Sequence, residues 1–163
     1  MKPPSFSLAG VPYFHRWSQG DQHEYTPKDQ EDLEKWIDMV TLVVYPKVTD
    51  PQGLAMRANT LLDNYQATKS AKVVVLKTSS VPATKAKPAE HLVVALLATD
   101  AFLELAFTRF RLRKRVGGSV VYSRRFYGTD VSEAATAWLK KNGPATEKAL
   151  LAWDAMPPPL APK

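Results

Sequence analysis

Two β-prone runs separated by a Gly-Gly pair determine what kind of sheet this chain can build. The runs are Ala106–Arg115 and Ser119–Tyr127, with Gly117-Gly118 between them. So short a connection can only join antiparallel neighbours. Gly-Gly also suits a type I′ turn, in which both central residues need positive φ. Further strands are predicted as a hairpin within 12–26, at Ala71–Thr78 and at Leu92–Ala98, so the sheet is expected to be antiparallel.

Four helices are predicted from capping residues followed by apolar stripes. The first is expected to begin at Asp29, the second at Asp50-Pro51 and the third at Asp130. A fourth is expected after the stop signal Asn142-Gly143-Pro144. Four β-branched residues among the five at 40–44 leave the end of the first helix open between helix and strand. The predicted fold class is α+β: an antiparallel sheet of about five or six strands with helices packed on it, in the order β-β-α-α-β-β-β-β-α-α.

Length and composition are those of one globular domain. The chain has 163 residues, of which 45% are hydrophobic and 23% charged. Prolines gather at both ends, so the predicted domain spans 12–156, with extended tails at 1–11 and 157–163. No apolar run approaches the ~18 residues that a membrane-spanning helix needs.

The positive charge of the chain is concentrated in one segment. Arg109–Arg125 holds seven basic residues and no acidic one, whereas the rest of the chain holds 15 basic against 16 acidic residues. A Gly117-Gly118 turn would place Arg111 opposite Arg124 and would gather the arginines and two aromatics on one exposed face. The predicted binding residues are Arg109, Arg111, Arg113, Arg115, Tyr122, Arg124 and Phe126.

This face has two interpretations. It is either an anion-binding surface or a solvated strand face whose arginine stems cover apolar surface. The first favours a non-enzymatic binding domain that contacts an acidic protein or another anionic macromolecule. Nucleic acid stacked on Tyr122, Phe126 and Tyr127 is the alternative partner, and a homodimer also stays open. The acidic residues of 29–38 are expected to lie near the hairpin, within one subunit or across a dimer contact.

Several chemistries are excluded or unsupported. The absence of cysteine excludes disulfides, thiolate metal sites and cysteine nucleophiles. His15, His23 and His91 match no metal-ligand spacing, although His15 and His23 could be neighbours in the first hairpin. The sequence predicts no metal, no cofactor and no catalytic residue. A small enzyme with a site near Glu90 and His91 remains the second alternative.

Two weak signals in the sequence bear on the cellular compartment of the protein. Met1-Lys2 is followed by Pro-Pro-Ser and not by the apolar core of a signal peptide. The lack of cysteine favours a bacterial exported domain, periplasmic or secreted, with a cytoplasmic protein as the alternative.

Overall fold

The computed structural model describes residues 2–154, in which eight strands form one curled antiparallel sheet and two helices pack on it. The strands are β1 (Phe6–Leu8), β2 (Val11–Gln19), β3 (Gln22–Thr26), β4 (Asp38–Tyr45), β5 (Lys72–Val81), β6 (Glu90–Ala98), β7 (Leu103–Arg113) and β8 (Val116–Phe126); the helices are α1 (Pro51–Ala67) and α2 (Val131–Ala152). The sheet order is β1-β2-β3-β4-β8-β7-β6-β5. The α+β class and the antiparallel sheet are confirmed. The predicted five or six strands, the four helices and their order are wrong.

The predicted first helix is instead a loop followed by the central strand β4. Residues 38–45 pair with β3 on one side and with β8 on the other. Val40 and Leu42 are buried while Thr41 and Val43 are half-buried, which is the two-residue period of a strand. The side-chain carbonyl of Gln30 accepts hydrogen bonds from two backbone amides at 37 and 38 and so shapes the loop. The β-branched run of β4 therefore outweighed the apolar stripe at helical spacing.

The two helices predicted near the C-terminus are one helix. Pro144 lies inside α2 and not at its end. A proline within a helix removes one hydrogen bond and is ordinarily unfavourable by about 3 kcal/mol. Its ring is exposed here, on the side of α2 away from the sheet, and Leu150 and Trp153 pack the following turns into the core. Tertiary packing offsets the local stop signal.

The two faces of the sheet carry different cores. α2 covers one face, where Leu150 and Trp153 join a cluster that includes Phe6, Tyr25 and Phe107. α1 covers part of the other face through a smaller apolar cluster, which contains Val48, Leu54, Ala58, Val93 and Phe110. α1 begins where the sequence predicts, because the carboxylate of Asp50 accepts a hydrogen bond from the amide of Gly53 at 2.7 Å.

Part of the predicted N-terminal tail belongs to the sheet. Phe6 and Leu8 are buried, and β1 pairs with the start of β2. The indole of Trp153 donates a hydrogen bond to the carbonyl of Ser7 at 3.0 Å, which ties β1 to the end of α2. The predicted tail at 157–163 lies outside the described residues. Neither helix in the described part of the chain has the length and apolar character needed to cross a membrane.

Candidate functional site

The β7–β8 hairpin turns three residues earlier than predicted. Lys114 and Arg115 are the two loop residues, with φ of 51° and 63°, and Arg113 pairs with Val116. Arg111 consequently pairs with Gly118, six residues away from the predicted partner Arg124. An even displacement preserves which side chains share a face, because strand side chains alternate with a period of two. The predicted cross-strand partners are therefore wrong. The predicted strand residues still share one face, except Arg115, which lies in the turn.

The two glycines serve close packing and not the turn. A Cβ on Gly117 would lie 2.6 Å from Cγ1 of Val48, and one on Gly118 would lie 2.9 Å from the carbonyl oxygen of Val43. The amide of Gly117 also donates a hydrogen bond to the carbonyl of Val48 at 2.7 Å. Both glycines thus let neighbouring backbone and the β4–α1 loop approach β8.

Arg109 and Arg111 were expected to be exposed, but α2 buries them, and each is only 3% exposed. The Nε and Nη2 groups of Arg109 donate to the two carboxylate oxygens of Glu90 at 3.1 and 2.7 Å. Its Nη1 donates to the backbone carbonyls of Leu150 and Trp153 at 3.1 and 2.7 Å.

Arg111 makes the companion contacts at the same helix end. Its Nη1 donates to the Trp153 carbonyl at 3.0 Å and to the Asp154 carboxylate at 3.1 Å. Burial and the nearby charge of Arg109 lower the pKa of Arg111. Cations stabilise a helix C-terminus, where carbonyls lack partners. Arg109 and Arg111 therefore fasten α2 to the sheet and do not form a free anion-binding surface.

Arg124 and Tyr122 belong to a second structural network on the same face. The Asp38 carboxylate accepts hydrogen bonds from the Tyr122 hydroxyl at 2.6 Å and from Nη1 of Arg124 at 2.9 Å. The Arg124 guanidinium lies 5.2 Å from the centre of the Trp138 ring. Burial, then the Asp38 charge, raise the pKa of Tyr122. The acidic residues of 29–38 were expected to meet the hairpin from a helix. Asp38 does meet it inside one subunit, but from strand β4, and Glu31 lies near Arg16 instead.

Two of the three aromatics predicted to stack on bases are enclosed, whereas Tyr127 is 40% exposed. Tyr122 is 8% exposed, and its ring stacks on Trp138 with centres 6.2 Å apart. Phe126 is half-buried, and its ring meets Trp138 edge-on. These two rings are not available for stacking against bases.

The exposed remainder of the hairpin lies at one end of the sheet. Both the β7–β8 turn and the β5–β6 loop are at this end, since the strands run antiparallel in sequence order. The β4–α1 loop joins them through the bond between Gly117 and Val48. We define the basic pole as the cations of these three loops together with the last residue of β7: Lys47, Lys85, Lys87, Arg113, Lys114 and Arg115.

No ion pair involves a residue of the basic pole within residues 2–154. Arg113 is half-buried and the other five side chains are exposed. The carboxylates at this end include Asp21, in the β2–β3 turn, and Asp50, which caps α1. The predicted binding residues Arg113 and Arg115 therefore remain candidates. The predicted binding residues did not include Lys47, Lys85 or Lys87, although residues 64–89 contain five lysines and no acidic residue.

A polar pocket of about 350 Å³ lies on the other face of the sheet, beside α1. Its lining includes Arg57, Tyr65, Glu104 and Thr108. Burial raises the pKa of Glu104, against the opposing effect of Arg125, whose Nε donates to its carboxylate at 2.9 Å. This pocket presents hydroxyl and amide groups that can hydrogen-bond a small polar molecule. No pattern in the sequence marked these residues, which come from separate elements.

The three histidines do not form the arrangement that a Glu90–His91 acid–base pair would need. Glu90 and His91 are adjacent on β6, so they point to opposite faces: Glu90 binds Arg109, and Nδ1 of His91 lies 2.9 Å from the hydroxyl of Ser80. In the first hairpin, the Ser18 hydroxyl lies 2.6 Å from a ring nitrogen of both His15 and His23. In residues 2–154 no three His, Asp or Glu side chains cluster closely enough to hold a metal ion.

Comparison with known proteins identifies similar structures but no similar sequences. No protein-family model and no curated protein sequence matches the chain. The Ran-binding protein Mog1p of Saccharomyces cerevisiae has a TM-score of 0.53 at 11% identity, covering 86% of this chain and 85% of that one. A Pseudomonas aeruginosa protein of unknown function, described as a putative regulator, has a TM-score of 0.53 at 12% identity, covering 87% and 88%. A Mog1 point mutant has a TM-score of 0.52 at 11% identity, covering 85% and 83%. The chain therefore shares the fold of Mog1.

Proposed function

We propose that this chain is a non-enzymatic binding domain whose basic pole contacts an acidic surface of a partner protein. The observation that carries the proposal is the grouping of six cations at one end of the sheet with no ion pair among the described residues. The other arginines of the hairpin make contacts that stabilise the fold. The basic pole therefore contains the cations of the basic segment that are accessible to a partner.

The charges of the opposite end strengthen the argument. The loop between β3 and β4 carries four acidic residues, Asp29, Glu31, Asp32 and Glu34, against two lysines, and Asp130 follows β8 at the same end of the sheet. The molecule thus has a basic and an acidic end. Such a separation orients an approaching acidic surface toward the basic end and raises the association rate at low ionic strength.

The fold comparison supports protein binding by analogy only. The yeast neighbour is described as a Ran-binding protein, which shows that this fold can carry a protein-binding surface. A shared fold does not transfer a partner. The preference for a protein over nucleic acid rests on the aromatics predicted to stack on bases: Tyr122 is buried and Phe126 is half-buried against Trp138. Tyr127 is 40% exposed, and a single exposed ring is a smaller stacking surface than the three that were predicted.

Binding to a labelled polyglutamate chain tests where anions bind. In a pole variant, Arg113→Glu, Lys114→Glu and Arg115→Glu reverse three charges. The matched control Lys140→Glu, Lys141→Glu and Lys148→Glu reverses three exposed charges on α2. Both variants change the net charge of the protein by the same amount, so their long-range electrostatic effects on the peptide are similar. A difference in affinity between them therefore reports a local contact.

Fluorescence anisotropy at low salt gives the readout. We expect the pole variant to weaken polyglutamate binding by at least about tenfold, which corresponds to about 1.4 kcal/mol, and the α2 control to weaken it far less. Equal losses in both variants would contradict the proposed site. A labelled thymidine 20-mer that binds much more tightly than polyglutamate would favour the nucleic-acid alternative instead.

The proposal includes the compartment. A bacterial exported domain fits a chain of 163 residues without cysteine. Fractionation of the source cells, with the protein detected by antibody, tests it. Recovery with the cytoplasmic enzymes would contradict export without affecting the binding proposal.

A further inference from the structure

Strand β5 forms an open edge of the sheet. It is last in the strand order and pairs with β6 alone among residues 2–154. At Lys72–Val81 it has ten residues. The outward backbone groups of an edge strand are a template on which another extended chain can pair.

The edge is apolar as well as unpaired. Val74 is 54% exposed, Leu76 43%, Val81 42% and Val75 39%. Natural proteins usually protect such edges with a bulge or with charged side chains. β5 has a bulge between Val75 and Lys77. The Lys77 ammonium, however, lies against the carboxylate of Glu147 on α2 at 2.8 Å, so it is directed toward its own helix.

The charge around the edge identifies the kind of chain that fits. Residues 64–89, which contain β5, hold five lysines and no acidic residue: Lys69, Lys72, Lys77, Lys85 and Lys87. Pairing β5 with β5 of a second copy would bring two such lysine-rich segments together, and the carboxylate of Glu147 at this edge is already taken by Lys77. Like charges across paired strands are destabilising, whereas opposite charges stabilise. An acidic strand is therefore favoured over a second copy.

We infer that β5 binds an extended, acidic and apolar segment of a partner protein, which adds to the sheet as a ninth strand. The backbone groups of the segment supply the hydrogen bonds, its apolar side chains cover the exposed valines and leucine, and its carboxylates meet the lysines. This surface is distinct from the turn residues of the basic pole, although Lys85 and Lys87 adjoin both. The inference goes beyond the proposed function, and either can fail without the other.

The probe is a labelled twelve-residue peptide in which valine and glutamate alternate. Amide hydrogen exchange of the unmodified protein, followed by NMR, shows where the peptide binds. A ninth strand should slow exchange of the outward β5 amides within 72–81 by at least about tenfold at saturation, because they gain backbone acceptors. Simple electrostatic attachment would leave these amides unchanged.

Two single substitutions give the affinity readout. Val74→Glu places a carboxylate on the edge and should weaken peptide binding by about tenfold. Met56→Glu is the matched control, since Met56 is 63% exposed on α1; we expect its affinity to stay within about twofold of wild type, as for a surface change away from the site. The pole variant with glutamate at 113, 114 and 115 should still show slowed β5 exchange with the peptide.

Three results would overturn the inference. The first is peptide binding that leaves β5 exchange unchanged. The second is an equal loss of affinity from Val74→Glu and Met56→Glu. The third is protection of the β5 amides that increases with protein concentration in the absence of peptide, because that result identifies a second copy as the occupant.

Discussion

Arg109→Met should destabilise the fold strongly, because the side chain is a structural anchor. The substitution keeps an unbranched apolar stem but removes four hydrogen bonds, two to Glu90 and two to carbonyls at the end of α2. It leaves the Glu90 carboxylate, whose side chain is only 15% exposed, without its cation. Both the sheet and the helix end lose a contact that water cannot fully replace.

The magnitude follows from the burial of the pair. Removing one partner of a buried ion pair destabilises a protein by about 3–5 kcal/mol. Some water reaches Glu90, so we expect about 3 kcal/mol, a large share of the ~5–15 kcal/mol that stabilises a typical domain. At about 2–4 °C per kcal/mol for a chain of this size, the melting temperature should fall by about 6–12 °C.

Urea unfolding followed by tryptophan fluorescence measures this loss. Arg115→Met is the matched control at the exposed turn, where the same change should alter the free energy of unfolding by less than about 0.5 kcal/mol. The double variant Arg109→Met with Glu90→Leu should be less destabilised than the two single effects added together, because it leaves no unpaired charge. If Arg109→Met unfolds within about 0.5 kcal/mol of wild type, the anchoring role of Arg109 is wrong.

Two further predictions concern packing and pH. Gly117→Ala should lower the free energy of unfolding by about 1–3 kcal/mol through overpacking against Val48, and by less in a Val48→Ala background; equal losses in both would contradict the contact. Burial, then the charges of Lys2 and His23, lower the pKa of His15. The unfolded chain then takes up a proton more readily below about pH 6.5, so this contribution to stability is present at neutral pH and is lost as pH falls. An NMR titration midpoint for His15 at or above that of a free histidine would refute this.

The sequence was informative where local pattern and tertiary partner agree. The antiparallel pairing follows from the short connections between successive β-prone runs, although the β7–β8 turn lies at Lys114-Arg115 and not at the predicted Gly117-Gly118. The start of α1 follows from the capping residue Asp50. β4 shows the limit: its apolar residues fit a helical stripe as well as a strand, and pairing with β3 and β8 decides between them. Those partners are distant in the chain, so no local window contains the deciding contact. Pro144 illustrates the same point, because the packing of α2 outweighs a local stop signal.

At the candidate site, an error in the predicted turn had less effect on the functional prediction than an error in the predicted exposure. The turn was predicted at Gly117-Gly118 because glycine accepts positive φ, but the close approach of Val48 requires the glycine at 117 within β8. The even register error preserved the shared face. Whether the arginines of this face are exposed, however, depended on hydrogen-bond acceptors more than 40 residues away, such as the Trp153 carbonyl that binds Arg109. Composition located the charge, and only the tertiary structure separated anchoring arginines from exposed ones.

A photo-crosslinking amino acid at position 115 tests the central claim most directly. In the source cells, one sample carries it in place of Arg115 on the basic pole and another in place of Lys148, which is exposed on α2. The account predicts that position 115 crosslinks to an acidic segment of a protein and that position 148 does not. Crosslinks to nucleic acid at position 115, or the same protein captured equally from both positions, would contradict it.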